Sequence, residues 1–429
     1  MANNFESNIT SKLARIFLTA FDSNRVLSKN VNTQLLDGQF GPDTGDTVSF
    51  KRPTDYRVSR TSDGDVSGET KSDIVTGKAA GSVQDWFTVF VDYKNVDEAL
   101  KLDQKGMPGQ KNTVLGPMAT RIVTDLEVDF AKFMMHNCAL IAGVHAQAVN
   151  AWSDIAEGNA VLAANGVPRD KQWNYMINPY TQSALADIQR SLGAVDPLVS
   201  EAHKRAIISE NFGGMKVMAG TTLATYTTPS GSDRAGTLSA NPVVTYVGAK
   251  DTMTQILAVT GFEANYVVQA GETIQIIGRN RLNLSTRQPV VNGSGSVVIW
   301  SGVVTAQVTL GASGEGNLVV TGPAIFESLG QYNTTDTAAV SGDVVNLLGV
   351  ASTLYQPNLF WHPDAFSIGS VRIPKLHSTD TIATTEDGLQ FRVSLGVGFL
   401  ENKNKVRIDF LPAYSVLNPF FAGHGFGLA

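Results

Sequence analysis

The sequence contains a single cysteine, Cys138, among 429 residues. One cysteine excludes a disulfide framework within the chain and leaves a cysteine-based zinc site with a single thiolate donor, too few for the usual multi-cysteine set. Cys138 stands in FMMHNCALI, an apolar helical setting where a thiol behaves as a small buried hydrophobe. Charge is scarce as well: 33 basic and 39 acidic residues make up 17% of the chain and leave a net charge of -6, and no run of Lys and Arg occurs. The electrostatic footprint of a protein that grips nucleic-acid phosphates is therefore missing. Apolar runs such as VVIWSGVV fall far short of the ~20 residues that cross a bilayer. The opening MANNFESNIT has neither the basic nor the apolar region of a secretory signal, so the expectation is a soluble protein of a reducing cytoplasm with no membrane partner.

Catalytic chemistry is equally sparse. The six histidines, at 136, 145, 203, 362, 377 and 424, show no metal-ligand spacing on a recognisable helix face. There is no G-x-S-x-G elbow, and GASGEG lacks the Lys-Ser/Thr of a phosphate-cradling loop and reads as a turn. His136 and His145 read as core or interface histidines, and His362 as a structural residue beside Trp361. The carboxylates of DGDVSGE do not reproduce an EF-hand loop. No catalytic residue, cofactor or metal is expected.

What the sequence does have is length and texture. With 43% hydrophobic residues it is core-forming, and its size allows two or three domains. The first forty residues read as an extension with one amphipathic helix, in which Ile9, Leu13, Ile16, Phe17 and Ala20 form an apolar stripe that needs a partner surface. TVSFKR and DWFTVFVDY alternate with period two and read as two strands of a hairpin. Between them, residues 53–82 are thirty positions rich in charge, Gly, Ser and Thr. A loop this long inside a folded chain is usually functional or disordered. Paired as a hairpin at roughly 3.3 Å per residue, it would project on the order of 50 Å, an arm whose packing partner is another subunit.

A strong helix follows in PMATRIVTDLEVDFAKFMMHNCALIAGV. Pro117 lies in its first turn, with Val123, Leu126, Phe130, Phe133 and Met134 on one stripe and Arg121, Asp125, Asp129 and Lys132 to the other side. WSDIAEGNAVLAANG and YTQSALADIQRSL read as shorter helices ended by Gly166 and Gly193, with YMINP a buried strand between them. From about Thr222 the chain turns to Thr, Val, Gly and Ser. PVVTYVG, TMTQILAVT, ETIQIIG, SVVIWSGVVTAQVTL and GNLVVTG read as short strands of a small sandwich or barrel. Mixed texture returns with PNLFWHPDAFSIGSVRIPK and the hairpin LQFRVSLGVGFLENKNKVRIDFLPAYSVLNP. The fold class expected is α+β, one body interrupted by an inserted all-β domain.

This order resembles the major capsid (coat) proteins of tailed bacteriophages with the Hong Kong ninety-seven type fold, and more closely the coat proteins of P-twenty-two-like short-tailed phages, which carry an inserted β domain. The residues that carry the resemblance are NNFESNIT, GDTVSFKRP, RIVTDLE, NLFWHPDAFSIGSVRIPKLH and VRIDFLPAYSVLNPFFAGHGFG, spread over nearly the whole chain. The resemblance implies an N-terminal arm at 1–40, an E-loop hairpin at 41–95, a peripheral domain with the spine helix at 96–149 and an axial domain beginning at 150–222. The inserted β-rich domain would span 223–353, with a return to the axial and peripheral domains at 354–429.

The resemblance also implies a coat protein, not an enzyme, that assembles with itself as pentamers and hexamers of an icosahedral virion capsid. Assembly would take place in the host bacterial cytoplasm on a scaffolding protein, as a procapsid with a portal protein that expands as double-stranded DNA is packaged without sequence-specific binding. Arg57, Arg60, Asp63, Asp65, Glu69, Lys71 and Asp73 become the candidate intersubunit contacts of the E-loop, and Ile9, Leu13, Ile16 and Phe17 candidates for N-arm packing or scaffold contact. Lys71 and Lys78 stand where some members of the wider fold form an isopeptide cross-link, on which the nearer relatives do not depend. Deleting Thr61 to Gly77 is expected to leave the monomer folded and block shells. Two alternatives remain: an encapsulin-like storage shell, which would normally lack the inserted domain, and a carbohydrate-binding or hydrolytic enzyme with an accessory β domain, for which paired catalytic carboxylates are missing.

Overall fold

The structure, a computed structural model, describes residues 14, 17–19, 21, 22, 24–33, 47–69, 71–93, 115–145, 147–191, 207–231, 233–371, 373–377, 380–398 and 403–425. The chain divides into two compact units, one of Met1–Ser49, Ala80–Ala131 and Phe366–Ser415, the other of Phe50–Ala79, Lys132–Ala365 and Val416–Ala429. Helices and strands mix along the chain, giving the α+β class that its texture suggests.

In the first unit, one sheet runs Thr381–Thr384, Gln390–Gly398, Lys403–Phe410, Phe87–Tyr93. The expected hairpin forms, with Phe391 opposite Phe410 and Gly398 opposite Lys403. Alternation sends Phe391, Val393, Ile408 and Phe410 into the core. Phe17 and Phe21 of the N-terminal segment, both fully buried, meet the Phe391 ring at 5.3 and 4.5 Å between centroids. The other strand face carries a buried carboxylate: Asp409 accepts from Arg392 Nη2 at 2.6 Å, Arg407 Nε at 2.6 Å and Thr88 Oγ1 at 2.8 Å. Three donors keep that charge tolerable away from water.

The second sheet of this unit, Thr47–Lys51, Lys78–Val83, Pro412–Val416, Phe366–Ser370, corrects one expectation. The strand returning beside Thr47–Lys51 is Lys78–Val83, whereas Phe87–Tyr93 pairs with Lys403–Phe410. KAAGSV buries only Ala79 and Gly81, so its alternation is written in small residues that a hydrophobicity pattern overlooks. Backbone pairing of Gly81, Ser82 and Val83 with Ser415, Tyr414 and Ala413 makes it a strand. The segment between the two strands therefore shortens to residues 52–77.

Helix α1, Leu115–Asn137, has Pro117 in its first turn and buries Val123, Leu126, Phe130 and Met134. Arg121 and Asp125 pair on its exposed side at 3.0 Å. It stops before the end of the apolar pattern because Leu140–Ala142 is taken up as a strand parallel to Ala422–Gly425. Sheet pairing there overrides helical propensity. Near its middle, Glu127 is buried and accepts from Leu27 N at 2.6 Å and from Ser28 N and Oγ at 3.0 and 2.5 Å. Burial raises its pKa despite these bonds.

The second unit holds a mixed six-stranded sheet, in the order Leu140–Ala142, Ala422–Gly425, Asn358–Trp361, Asn174–Ile177, Met215–Ala219, Ile207–Phe212. Helix α2, Trp152–Ala164, and helix α3, Pro179–Ser191, flank Asn174–Ile177 in the chain. Ile155 and Leu162 of α2 join Trp173, Tyr175, Ile177, Val217 and Phe360 in one core. Gly166 follows α2 at φ +81°, the left-handed position its C-terminus needs. The expected terminator of the second helix, Gly193, lies outside the described residues.

Within the same unit, the Thr/Val/Gly-rich region closes into a barrel of six strands: Thr254–Thr260, Gly316–Thr321, Ile299–Val304, Thr273–Asn280, Val344–Leu347 and Ala235–Leu238, the last pairing back to the first. Closure leaves no sheet edge open to pairing. Leu257, Val259, Ile274, Ile276, Trp300, Leu318, Val320 and Val345 fill its interior. PVVTYVG is not a strand but a loop leading into the short turn of helix Tyr246–Ala249. Where the chain enters and leaves, Tyr226–Thr227 pairs with Leu354–Tyr355. The two ends of the barrel region thus lie side by side, as an insertion requires.

Candidate assembly surfaces

Residues 52–77 leave the sheet and return to it, and among the described residues the contacts that hold them to the rest of the chain lie at their two ends. Arg52 is buried, donates to the carbonyl oxygens of Leu417, Val416 and Asp251, and has its pKa lowered by burial to about 10. Opposite it, the Lys78 amide donates to Asp251 Oδ1 at 2.9 Å. Further out, Tyr332 Oη accepts from the Asp55 amide at 3.1 Å and donates to Val75 O at 3.2 Å, so one hydroxyl spans both limbs. Val75 packs with Tyr246, Ala249, Met253, Ile325 and Tyr332 in a small core.

Beyond this root, a bond from the Arg57 amide to Ser72 Oγ at 2.9 Å joins the limbs. Tyr56, Val58, Val66 and Ile74 are 56, 80, 54 and 75% exposed. Among the described residues, none covers these four apolar side chains. Sequence reading emphasised the charges here and missed these residues, although the two-residue spacing of Tyr56 and Val58 places both on one side of an extended limb.

The charged candidates lie on the same segment. Arg60, Asp63, Asp65, Lys71 and Asp73 are exposed, Arg57 and Glu69 half-buried. Among the described residues, none of the seven has an ion-pair partner within the chain. Asp63 and Asp65 shape the tip, accepting from the amides of Asp65 and Ser67 at 3.1 and 2.9 Å. The Ser67 amide and hydroxyl hold the Asp65 carboxyl below its usual range.

Of the six histidines, His203 lies outside the described residues, while His145, His362 and His424 are held by contacts within the chain. His362 Nδ1 accepts from the Asp364 amide at 3.1 Å, which leaves Nε2 to donate to Asp170 at 2.9 Å. Asp170, His362 and Asp364 are close enough to suggest a metal site, but both imidazole nitrogens are engaged and Lys171 Nζ sits on the Asp364 carboxylate at 2.8 Å. His145 and His424 both place Nε2 3.3 Å from Thr273 Oγ1. The hydroxyl can accept from both rings, or accept from one and donate to the other, according to their tautomers. Cys138 is buried, and burial pushes its thiol pKa up. Chemistry of the catalytic kind is not assembled among the described residues.

The description of the P22 coat protein (gene protein 5) family matches residues 1–427. The chain belongs to that family. A major capsid protein of Acyrthosiphon pisum secondary endosymbiont phage 1 is 36% identical over 430 residues, the whole of both chains. Among solved structures, one from Mycobacterium phage Che8 aligns with a TM-score of 0.42 and 11% identity, covering 94% of this chain and 90% of that one. The capsid of Ralstonia phage GP4 aligns at 0.41 and 9%, covering 95 and 90%.

This is accordingly a phage major capsid protein and a component of the virion capsid, and its family is one of structural proteins, not enzymes. The reading as a carbohydrate-binding or hydrolytic enzyme falls away, and so does the storage shell, because the match to the family extends through the inserted domain. Among the described residues, no helix is long and apolar enough to cross a membrane. Of the N-terminal candidates, Ile9, Leu13 and Ile16 lie outside the described residues, and Phe17 is fully buried against Phe21 and Phe391. In this conformation Phe17 packs within its own chain and is closed to a partner.

Proposed function

We propose that residues 52–77 are the E-loop through which each copy of this capsid protein lies on its neighbour, in pentamers and hexamers of an icosahedral shell. The observation that carries the reading is the exposure of Tyr56, Val58, Val66 and Ile74 on a segment that, among the described residues, is secured at its root. Full burial of a Val or Ile side chain is worth roughly 1.5–3 kcal/mol, against 0–1 for an exposed ion pair. On this scale the apolar residues supply the adhesion, and Arg57, Arg60, Asp63, Asp65, Glu69, Lys71 and Asp73 supply solubility before assembly and register after it.

Shells of this kind form by many weak contacts repeated around a closed surface. The wider sequence of events we propose is a procapsid templated by a scaffolding protein, with a portal at one vertex. The shell then expands as double-stranded DNA fills it, all within the cytoplasm of the bacterial host of a short-tailed phage. A net charge of -6 suits a container along whose wall DNA must slide. The same proposal divides the chain into an N-arm (1–40), a segment carrying the E-loop (41–95) of which only 52–77 project, and peripheral (96–149), axial (150–222), inserted (223–353) and returning (354–429) segments.

The test is sedimentation velocity with negative-stain imaging, on the protein alone and with the scaffolding protein encoded beside its gene. Uniform closed particles support the reading. A species near 45.8 kDa under every condition overturns it.

A further inference from the structure

We infer that the inserted barrel serves, through Tyr332 and Arg287, as the bracket that sets the direction of the E-loop within its own subunit. The inference rests on the reading of residues 52–77 as the loop that reaches a neighbour, and it gives the inserted domain a part in that contact.

Three kinds of contact converge on the root. Tyr332 joins the outgoing limb at Asp55 to the returning limb at Val75 with one hydroxyl. Its ring lies stacked on Tyr246, 3.7 Å between centroids and 10° from parallel, which holds the hydroxyl in place. Arg287 pairs with Asp55 Oδ2 at 2.5 Å while its other nitrogen donates to Asn333 O at 2.8 Å. Asn333 neighbours Tyr332, so the two anchors are tied to each other. Arg287 stands at φ +55°, a backbone conformation a long side chain adopts only where its surroundings enforce it. Gln331 adds a bond to Asp73 O at 2.9 Å.

These anchors all come from two connections of the inserted region, around Arg287 and around Gln331–Asn333, and they meet the loop at Asp55, Asp73 and Val75. Outward of them the bond from the Arg57 amide to Ser72 Oγ ties the limbs to each other. The direction of such an arm is set at its hinge. A loop held at one angle also has less conformational freedom to lose when it docks, so the bracket favours assembly by preorganisation.

The experiment uses full-length unassembled subunits with spin labels on Ser62→Cys at the loop tip and Ala306→Cys on the barrel. Both sites are exposed, while native Cys138 is buried and escapes labelling. Pulsed dipolar spectroscopy reads the distance distribution, and light scattering reads the critical concentration for shells. Tyr332→Phe keeps the ring stack and removes both hydroxyl bonds; Arg287→Met removes the ion pair. We expect the distribution to broaden in each variant and further in the double variant, and the critical concentration to rise several-fold, with thermal unfolding of the double variant close to that of the parent. An unchanged distribution in the double variant overturns the inference, as does a broadened one with unchanged assembly. Deleting residues 58–71 tests the underlying reading separately. Shells that form without the loop refute the E-loop assignment whatever the spectra show.

Discussion

The main chain at Gly77 runs so close to the carbonyl oxygen of Lys250 that a Cβ on Gly77 has no room. The atom it would strike belongs to backbone, which cannot swing aside as a flexible side chain would. Gly77→Ala is therefore expected to push the returning limb off its seat at a cost of about 1–3 kcal/mol. Thermal unfolding of the monomer and amide exchange at Val75 and Lys78 measure it. Exchange rates equal to the parent's would show that the close approach relaxes freely.

The same contact revises the deletion that the sequence invites. Removing Thr61 to Gly77 would take away Val75 and Gly77, which belong to the root and its small core. Removing residues 58–71 and joining Arg57 to Ser72 across their existing bond is expected to leave cooperative unfolding intact and to block shell formation. Loss of cooperative unfolding would place the loop in the monomer's own core.

Val58→Ser combined with Ile74→Ser is expected to leave monomer stability within about 0.5 kcal/mol, since both side chains are already in water. Assembly should weaken strongly and independently of salt. Arg57→Gln with Arg60→Gln should weaken it less, and mainly at low ionic strength where exposed charges are least screened. Critical concentrations at two salt levels separate the cases; a larger effect from the arginines would reverse the ranking of apolar and charged contacts.

Arg234 and Glu272 form a buried pair at 2.6 Å beside the Tyr266 hydroxyl, which Arg234 also contacts. Arg234→Met strands the Glu272 charge, and a loss of about 3–5 kcal/mol is expected. Burial already raises the Glu272 pKa, so part of the loss should return as pH falls and the carboxyl takes a proton. Urea unfolding of the full chain at neutral and acid pH reads both effects.

Burial lowers the pKa of His145 to about 4 and that of His424 to about 3, with Arg234 acting on the first and the neighbouring histidines on the second. The unfolded chain binds protons to them from about pH 6.5 downward and the folded chain does not. Stability from this pair is therefore present above that pH and lost as pH falls toward the folded values. One pKa unit is worth about 1.4 kcal/mol, so the loss is on the order of several kcal/mol. Glu127, whose pKa is raised, works in the opposite sense and loses stability as pH rises above its unfolded value near 4.5. His424→Gln should flatten the acid limb of the stability curve; an unaltered limb would assign the acid sensitivity elsewhere.

Much of the architecture was legible in local pattern. Period-two alternation located Phe87–Tyr93, the hairpin of Gln390–Gly398 and Lys403–Phe410 was read from its own segment, and a helical stripe located α1. The change to Thr, Val and Gly near Thr222 announced an all-β region, because turns and short strands need those residues wherever they occur. What local pattern could not reach was pairing. KAAGSV became a strand because Tyr414 and its neighbours lie beside it, and α1 ended at Asn137 because Ala422–Gly425 takes up the next residues. The choice of a closed barrel for the inserted region likewise rests on strand partners far apart in sequence.

The candidate surface divides the same way. The polarity of residues 53–82 is a property of composition, readable from the chain alone. That Tyr56, Val58 and Ile74 stay uncovered, and that Tyr332, some 257 residues after Val75, holds the root, follow only from tertiary structure. Exposure and long-range hydrogen bonding depend on which segments meet, and no window of sequence contains both partners.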